Sequence, residues 1–135
     1  MGKLKIGIIG CGGIANQKHF PALQNNSDLN EIVAFCDIIQ DRAIKAAEEF
    51  GADGAKVYTD YKELLADSEI EVVHICTPNV SHSQIAVDAF AAGKNVYCEK
   101  PMSHNSEEAE KMVEAWKKSG KQFTVGYQNR FRPEV

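Results

Sequence analysis

The chain has 135 residues, of which 44% are hydrophobic and 25% are charged, and its formal net charge at pH 7 is -4. This length suits one domain with its own core, but it is short for an enzyme that needs separate cofactor and substrate domains. The acidic balance and the lack of a clustered basic stretch argue against nucleic acid or a membrane surface as a partner. Because no apolar run approaches the roughly 20 residues of a membrane span, and the first apolar run leads into a glycine turn rather than a signal-peptide cleavage site, we expect a cytoplasmic protein with soluble partners.

The first apolar run, Leu4–Ile9, predicts a buried strand and leads directly into a glycine-rich turn. The turn has the form G-x-G-x-x-A and contains Gly10, Gly12, Gly13, Ile14 and Ala15. Its first glycine permits the tight turn, its second lets the backbone approach a ligand, and its alanine allows close helix–strand packing. A helix that starts here presents N–H groups and a positive dipole end to phosphate. The turn therefore predicts a dinucleotide site, provided that its context agrees.

The second apolar run, Ile32–Cys36, ends at an acid, Asp37, where a dinucleotide fold holds the adenosine ribose. A carboxylate accepts hydrogen bonds from the ribose hydroxyls and repels a 2′-phosphate, so Asp37 predicts NAD as the cofactor rather than NADP. Arg42 follows in the next segment and works against this preference, because it could reach a phosphate. The structural alternative is that Asp37 caps a helix beginning near Gln40.

Strand and helix signals alternate along the rest of the chain. The predicted strands are Leu4–Ile9, Ile32–Cys36, Lys56–Tyr58, Val72–Cys76, Asn95–Cys98 and Phe123–Tyr127. Such alternation indicates an α/β fold with a doubly wound parallel sheet of the Rossmann type. Its ligand crevice is expected between the first and fourth strands, outside their carboxyl ends. In the helix before the last strand, Met112 and Trp116 share one face, and we expect Trp116 to lie in the core.

Four cysteines, Cys11, Cys36, Cys76 and Cys98, follow or end four different apolar runs. No C-x-x-C spacing exists, and a metal cluster at this edge would compete with a dinucleotide. We therefore expect reduced, mostly buried thiols and no metal site. His74 lies within an apolar run and is expected to be a core histidine.

Polar residues follow the later strands at the edge where the crevice is predicted. They are Thr77, Pro78, Asn79 and His82 after the fourth strand, Glu99, Lys100 and Pro101 after the fifth, and Arg130 after the sixth. Because parallel strands end at one edge, these residues are expected to converge there. Four of them have alternatives: Lys100 as a surface lysine, Glu99 in an ion pair, His82 as a solvated residue of a first helical turn, and Arg130 facing a further domain.

These motifs, in this order, resemble the Gfo/Idh/MocA oxidoreductases, a family that includes glucose-fructose oxidoreductase and inositol dehydrogenases. The resemblance covers nearly the entire chain, and the triplet Glu99-Lys100-Pro101 makes it specific. It implies a nicotinamide-binding Rossmann domain followed by a larger α/β domain with an open sheet, which supplies most substrate contacts and usually the oligomer interface. On this basis residues 1–125 are expected to form the NAD-binding domain, and residues 126–135 to begin the connection to a substrate domain absent from this chain.

The resemblance also implies roles for the site residues. Lys100 would lie beside the nicotinamide and the reacting hydroxyl, and Glu99 near the nicotinamide ribose. The residues along the cofactor between adenosine and nicotinamide would be Thr77, Pro78, Asn79 and His82. The chemistry of Lys100 agrees, because an ammonium can hydrogen-bond a substrate oxygen and stabilise alkoxide character as hydride leaves the carbon.

The expected function is that of a cofactor-binding domain from an NAD-dependent oxidoreductase acting on a secondary alcohol of a sugar, inositol or related compound. The family's acid–base group lies in its second domain, so the isolated chain is expected to bind cofactor without turnover. One alternative is a stand-alone NAD(H)-binding module that responds to redox state without catalysis. A methyltransferase also uses a glycine-rich first turn and an acid after the second strand, but it would give Glu99-Lys100-Pro101 no role.

Overall fold

The computed structural model describes residues 3–12, 23, 28–77, 79–99 and 106–126. Within these residues the strands are β1 (Leu4–Ile9), β2 (Asn30–Cys36), β3 (Lys56–Tyr58), β4 (Val72–Ile75), β5 (Asn95–Glu99) and β6 (Phe123–Gly126). The helices are α1 (Gln40–Phe50), α2 (Tyr61–Leu65), α3 (Asn79–Ala91) and α4 (Ser106–Ser119). The predicted strands are confirmed, although β2 begins earlier, β4 ends one residue earlier and β5 ends one residue later than the sequence indicated. The predicted end of the last strand, Tyr127, lies outside the described residues.

All six strands pair in parallel, in the order β3-β2-β1-β4-β5-β6. This order confirms the doubly wound sheet and its reversal between β1 and β4. The carboxyl ends of the central strands are level, because Ile9 pairs with both Cys36 on β2 and Ile75 on β4. The sheet therefore presents one even edge to whatever lies beyond the ends of β1, β2 and β4.

Apolar residues cover both faces of the sheet, as a parallel sheet requires. On one face α1 packs through Ala43 and Ala46 against a cluster that contains Ile8 and Phe35, both fully buried. On the other face α2, α3 and α4 contribute Leu64, Ala86 and Met112 to a larger cluster. The strands read as continuous apolar runs because their side chains are buried alternately on these two faces.

The prediction that Trp116 lies in the core is wrong. Met112, one turn earlier on α4, is fully buried, whereas Trp116 is 36% exposed. The indole lies near the end of α4, where its Nε1 donates a hydrogen bond of 2.7 Å to the carbonyl oxygen of Lys121. Its ring contacts Phe123 at a centroid distance of 6.5 Å, so Trp116 covers the turn between α4 and β6 rather than the sheet.

A polar network lies at the opposite, amino-terminal edge of the sheet. The Nζ of Lys94 is buried just before β5 and donates to the carbonyl oxygens of Asp67 and Ile70, each at 2.7 Å. The Asp67 carboxylate accepts from Lys56 Nζ at 2.9 Å and from the Tyr58 hydroxyl at 3.3 Å. These bonds fix the loop between α2 and β4 against the starts of β3 and β5.

Candidate cofactor-binding site

The turn after β1 requires a glycine at its first position. Gly10 has φ +96°, and its N–H donates to the carbonyl oxygen of Cys36 at 2.8 Å. A Cβ on Gly10 would lie 2.8 Å from the carbonyl carbon of Cys76 and 3.0 Å from the nitrogen of Thr77. The backbone of β1 thus turns against the ends of β2 and β4 with no space for a side chain, at the point where the strand order reverses.

Asp37 is held firmly at the end of β2. Its side chain is buried, and its Oδ2 accepts the backbone N–H of Cys11 while its Oδ1 accepts that of Ile39, both at 2.8 Å. Within the described residues, these two amides are its side-chain partners, and no cation pairs with it. Each carboxylate oxygen has two lone pairs, so Asp37 has capacity for further donors.

This geometry tests the alternative that Asp37 caps helix α1. The N-cap of α1 is Ile39, and no side chain caps the helix there. The carboxylate instead ties the glycine-rich turn to the end of β2, so the helix-capping alternative is wrong. The glycine-rich turn and the acid, both identified in the sequence, are joined by the hydrogen bond from the Cys11 N–H to the Asp37 carboxylate.

The turn is open at its second described glycine. A Cβ on Gly12 would have just one described atom outside its chain neighbours within 4 Å, the Nη1 of Arg42 at 3.8 Å. Among the described atoms, Arg42 alone comes near this position, as suits a glycine whose backbone a pyrophosphate approaches closely. Arg42 lies in the first turn of α1, and its guanidinium borders this position.

Two apolar side chains beside the carboxylate were not predicted as site residues. Ile38 is 90% exposed and Ile39 is 46% exposed. They lie between the end of β2 and the start of α1, outside both periodic segments, so neither the strand nor the helix pattern buries them. The sequence feature that could have identified them is the occurrence of two isoleucines directly after the acid. Their exposure provides apolar surface next to Asp37, of the kind that a flat ring can cover.

The thiols at this edge are protected from ionisation. Burial, followed by the negative charge of Asp37, raises the pKa of Cys11 to about 12, and the same two causes raise the pKa of Cys36 to about 12. Cys98 is also buried and Cys76 is half-buried, which confirms the expectation of mostly buried thiols. In the part of the chain that the structure describes, no group of three or more His, Cys, Asp or Glu residues could hold a metal ion.

Some of the other predicted site residues lie within the part of the chain that the structure describes, and some do not. Thr77 lies two residues after the end of β4 and is half-buried, and Asn79 and His82 belong to the first turn of α3. Glu99 is the last residue of β5 and pairs in register with Gly126. The backbone at these positions reaches the same sheet edge as Gly10 and Asp37. Outside the described residues lie Gly13, Ile14, Ala15, Pro78, Lys100, Pro101, Tyr127 and Arg130.

His74 lies within β4 rather than at the site edge. It is half-buried and stacks on Tyr97 of β5, with ring centroids 4.9 Å apart. This places it in the body of the sheet, as expected, although not in its fully buried core. Over the described ranges, no helix combines the length and the apolar character needed to cross a lipid bilayer.

A doubly wound parallel sheet with a glycine turn and a carboxylate at its strand-order reversal defines a dinucleotide-binding domain of the Rossmann type. Comparison with known families agrees and is more specific. The family described as "Oxidoreductase family, NAD-binding Rossmann fold" matches residues 4–127. The chain therefore belongs to the Gfo/Idh/MocA oxidoreductases.

Its relatives include inositol dehydrogenases. The chain is 38% identical over 129 residues to an inositol 2-dehydrogenase of Salmonella typhimurium, covering 95% of this chain and 38% of that protein. It is 33% identical over 131 residues to an inositol 2-dehydrogenase/D-chiro-inositol 3-dehydrogenase of Lactiplantibacillus plantarum, covering 96% of this chain and 37% of the relative. The chain thus spans about two fifths of the length of these relatives.

Solved structures with the same fold carry different dinucleotides. The WlbA dehydrogenase from Bordetella pertussis, in complex with NADH and UDP-GlcNAcA, has a TM-score of 0.89 at 29% identity, covering 97% of this chain and 39% of that one. A 3-ketoreductase from Actinomadura kijaniata, in complex with NADP and TDP-benzene, has a TM-score of 0.89 at 28% identity, covering 98% and 40%. This fold therefore accommodates both cofactors.

Proposed function

We propose that the chain is the NAD(H)-binding domain of an oxidoreductase that transfers hydride between NAD and a secondary alcohol of a sugar, inositol or related compound. Residues 1–125 form this domain, and residues 126–135 begin the connection to a second domain that binds the substrate. The observation that carries the proposal is the carboxylate of Asp37, fixed by Cys11 N–H at 2.8 Å beside the glycine turn. The inositol dehydrogenases among the relatives support the substrate class.

The described residues fit a nicotinamide dinucleotide. Gly12 suits the close approach of the pyrophosphate, and Asp37 has acceptor capacity for the hydroxyls of the adenosine ribose. The exposed side chain of Ile38 provides apolar surface for the adenine. The bound nicotinamide would supply or accept the hydride. NAD is preferred over NADP because the Asp37 carboxylate repels a 2′-phosphate.

The residues after β4 and β5 serve the nicotinamide half of the site. Along the cofactor we place Thr77, Pro78, Asn79 and His82, with Glu99 near the nicotinamide ribose. Lys100 is the catalytic residue of this domain. It directly follows β5, the neighbour of β4 in the sheet, and its ammonium donates a hydrogen bond to the alcohol oxygen, which stabilises alkoxide character as hydride leaves.

The test of this proposal is titration of the chain with NADH, followed by the change in NADH fluorescence. Asp37→Asn removes the charge that accepts from the ribose hydroxyls, and a charged hydrogen bond contributes about 1.5–3 kcal/mol. We therefore expect NADH to bind about ten- to hundredfold more weakly to this variant. Asp41→Asn is the matched control, because it removes an exposed carboxylate from the first turn of α1 and should leave NADH affinity within about twofold.

Because Asp37→Asn also weakens a hydrogen bond to the turn, the unfolding temperature is measured for both variants. The affinities are compared at a temperature where each variant is folded. Equal NADH affinity in wild type and Asp37→Asn, or no NADH binding by the wild-type chain, contradicts the proposed function.

The isolated chain is expected to bind cofactor without turnover. Holding an alcohol in line with the nicotinamide is worth roughly 7–11 kcal/mol in effective molarity, and in this family that alignment needs the second domain. NAD reduction with a panel of inositols and sugars should therefore remain at background, while NADH fluorescence still responds to the protein. Robust NAD reduction by the 135-residue chain would show that a complete site assembles without another domain.

A further inference from the structure

Hydrogen bonds tie helix α3 to the helices on either side of it. The Tyr61 hydroxyl, at the start of α2, donates to Oδ2 of Asp88 on α3 at 2.5 Å, and Gln84 Nε2 donates to the other carboxylate oxygen at 3.0 Å. Nearer the beginning of α3, the side chain of Ser83 is buried, and its hydroxyl donates to the carbonyl oxygen of Glu108 on α4 at 3.2 Å. Both neighbouring helices therefore hold α3 through a polar contact.

These contacts matter because the apolar pattern of α3 defines its rotation about its own axis only weakly. Six of the seven residues in Ile85–Ala91 are apolar, and because these residues make about two turns, they place apolar side chains around the whole circumference. Two of the buried ones, Ala86 and Ala89, are small, so they form low ridges against the sheet. The one polar residue of this stretch is Asp88, and it is held by Tyr61.

The rotation of α3 reaches the cofactor site because this helix begins at the carboxyl-terminal edge of the sheet. The nitrogen of Thr77 lies 3.0 Å from the Cβ position of Gly10, and α3 begins two residues later, at Asn79. Asp88 lies about two and a half turns further along the same helix. Cα atoms lie about 2.3 Å from a helix axis, so a rotation of about 20° moves each of them by about 0.8 Å. A displacement of that size takes a hydrogen bond out of its normal range.

Building on the proposed function, we infer that Tyr61 is a positioning residue for the nicotinamide half of the cofactor site. Its hydroxyl holds the Asp88 carboxylate, and this bond sets the rotation of α3, whose first turn lies along that half. Tyr61 acts through α3 rather than by touching the cofactor. The adenosine half rests on Gly10 and Asp37, which belong to β1, β2 and the turns that follow them. Loss of the Tyr61 hydroxyl therefore weakens one half of the site and spares the other.

The experiment compares NADH with AMP, which contains only the adenosine half of the cofactor. Both are titrated into the 135-residue chain by calorimetry, and the ratio of their dissociation constants isolates the contribution of the nicotinamide half. Tyr61→Phe should bind NADH about three- to tenfold more weakly, because one hydrogen bond at that half contributes about this factor. Its affinity for AMP should stay within about twofold of the wild-type value.

Tyr58→Phe is the matched control, because it removes another half-buried tyrosine hydroxyl that donates to a carboxylate, that of Asp67 at 3.3 Å, outside α3. It should leave both affinities within about twofold. Asp88→Asn is the conservative variant, since its amide oxygen still accepts from Tyr61, and it should also bind NADH within about twofold. Asp88→Ala removes the acceptor and should reproduce the loss seen in Tyr61→Phe, with no further loss in the double variant.

Unfolding temperatures are measured for every variant, and affinities are compared where each variant is folded. Equal weakening of NADH and AMP by Tyr61→Phe overturns the inference, because a purely structural role affects both halves. Unchanged NADH affinity in Tyr61→Phe also overturns it, as does a wild type that binds AMP as tightly as NADH. The proposed function fails separately: a wild-type chain that does not bind NADH contradicts it, and the inference with it.

Discussion

The two edges of the sheet use buried carboxylates in different ways. At the amino-terminal edge Asp67 accepts from a lysine, a tyrosine hydroxyl and the backbone N–H of Glu69, all from its own chain. At the carboxyl-terminal edge the partners of Asp37 among the described residues are two backbone amides, with no cation. A carboxylate surrounded by a cation and a hydroxyl stabilises a loop. One that accepts only two amides from the described residues has lone pairs left for a further donor.

The glycines of the two edges provide the sharpest test of this contrast. Gly10→Ala introduces a side chain at φ +96° and a Cβ only 2.8 Å from the backbone of Cys76. Strain of this kind costs about 1–3 kcal/mol and the contact adds to it, so unfolding free energy should fall by more than about 3 kcal/mol. NADH binding should be lost as well.

Gly93→Ala at the amino-terminal edge is the matched control. Gly93 has φ +80°, but no described atom outside its chain neighbours lies within 4 Å of its Cβ position. The Gly93→Ala variant should therefore lose only the about 1–2 kcal/mol of unfolding free energy that comes from the positive φ, and its NADH affinity should not change. Denaturant unfolding and NADH titration of both variants measure these effects. Equal stability losses in the two would show that the contact with Cys76 does not define the turn.

Lys94 tests whether the amino-terminal edge is purely structural. Lys94→Met leaves the buried carbonyl oxygen of Ile70 without its lysine donor, whereas the carbonyl oxygen of Asp67 still accepts the N–H of Ile70 at 3.2 Å. One unsatisfied acceptor costs about 1–3 kcal/mol, so we expect unfolding free energy to fall by about 2 kcal/mol, with NADH affinity unchanged in the folded protein. Lys56→Met removes a half-exposed lysine that pairs with the Asp67 carboxylate, and it should shift the midpoint of denaturation less than Lys94→Met does. A loss of NADH affinity in Lys94→Met would mean that the two edges are coupled.

The thiols make stability depend on pH, and the sign of this dependence follows from their pKa values. Burial raises the pKa of Cys11 and of Cys36 to about 12, above the value near 9 of an exposed thiol. The unfolded chain therefore loses these protons first as the pH rises, and stability that is fully present below about pH 9 declines above it. Each thiol should contribute a slope of about 1.4 kcal/mol per pH unit between about pH 9 and 12.

Lys94 acts in the opposite direction, because burial lowers its pKa and its contribution to stability improves as the pH approaches 10.5. The thiol effect is therefore isolated by comparing the wild type with the double variant Cys11→Ala, Cys36→Ala from pH 8 to 11 in denaturant titrations. The difference between their free energies of unfolding should shrink as the pH rises. A difference that is constant with pH would show that these thiols ionise in the folded protein as readily as in the unfolded chain.

Sequence periodicity predicted the sheet because burial on both faces leaves continuous apolar runs, and β1 and β3 were located to the residue. It failed for Trp116, since a helical period identifies a face but does not tell where along that face the sheet ends. The position of Gly10 and Asp37 next to each other at the ends of β1 and β2 was predictable, because both directly follow apolar runs. The approach of Arg42 to Gly12 depends on how α1 lies across the turn, which is a tertiary property that local spacing cannot give.

The hydrogen bond between Cys11 N–H and Asp37 Oδ2 also bears on how fast a ligand can bind. The chain's own hydrogen bonds hold Gly10 to β2 and Cys11 to Asp37, so the entropy of ordering this part of the turn is lost during folding rather than during association. At this part of the site, binding then resembles entry into a preformed crevice, and the observed association rate should rise linearly with ligand concentration. Asp37 thus shapes the kinetics of recognition before it contacts any ligand.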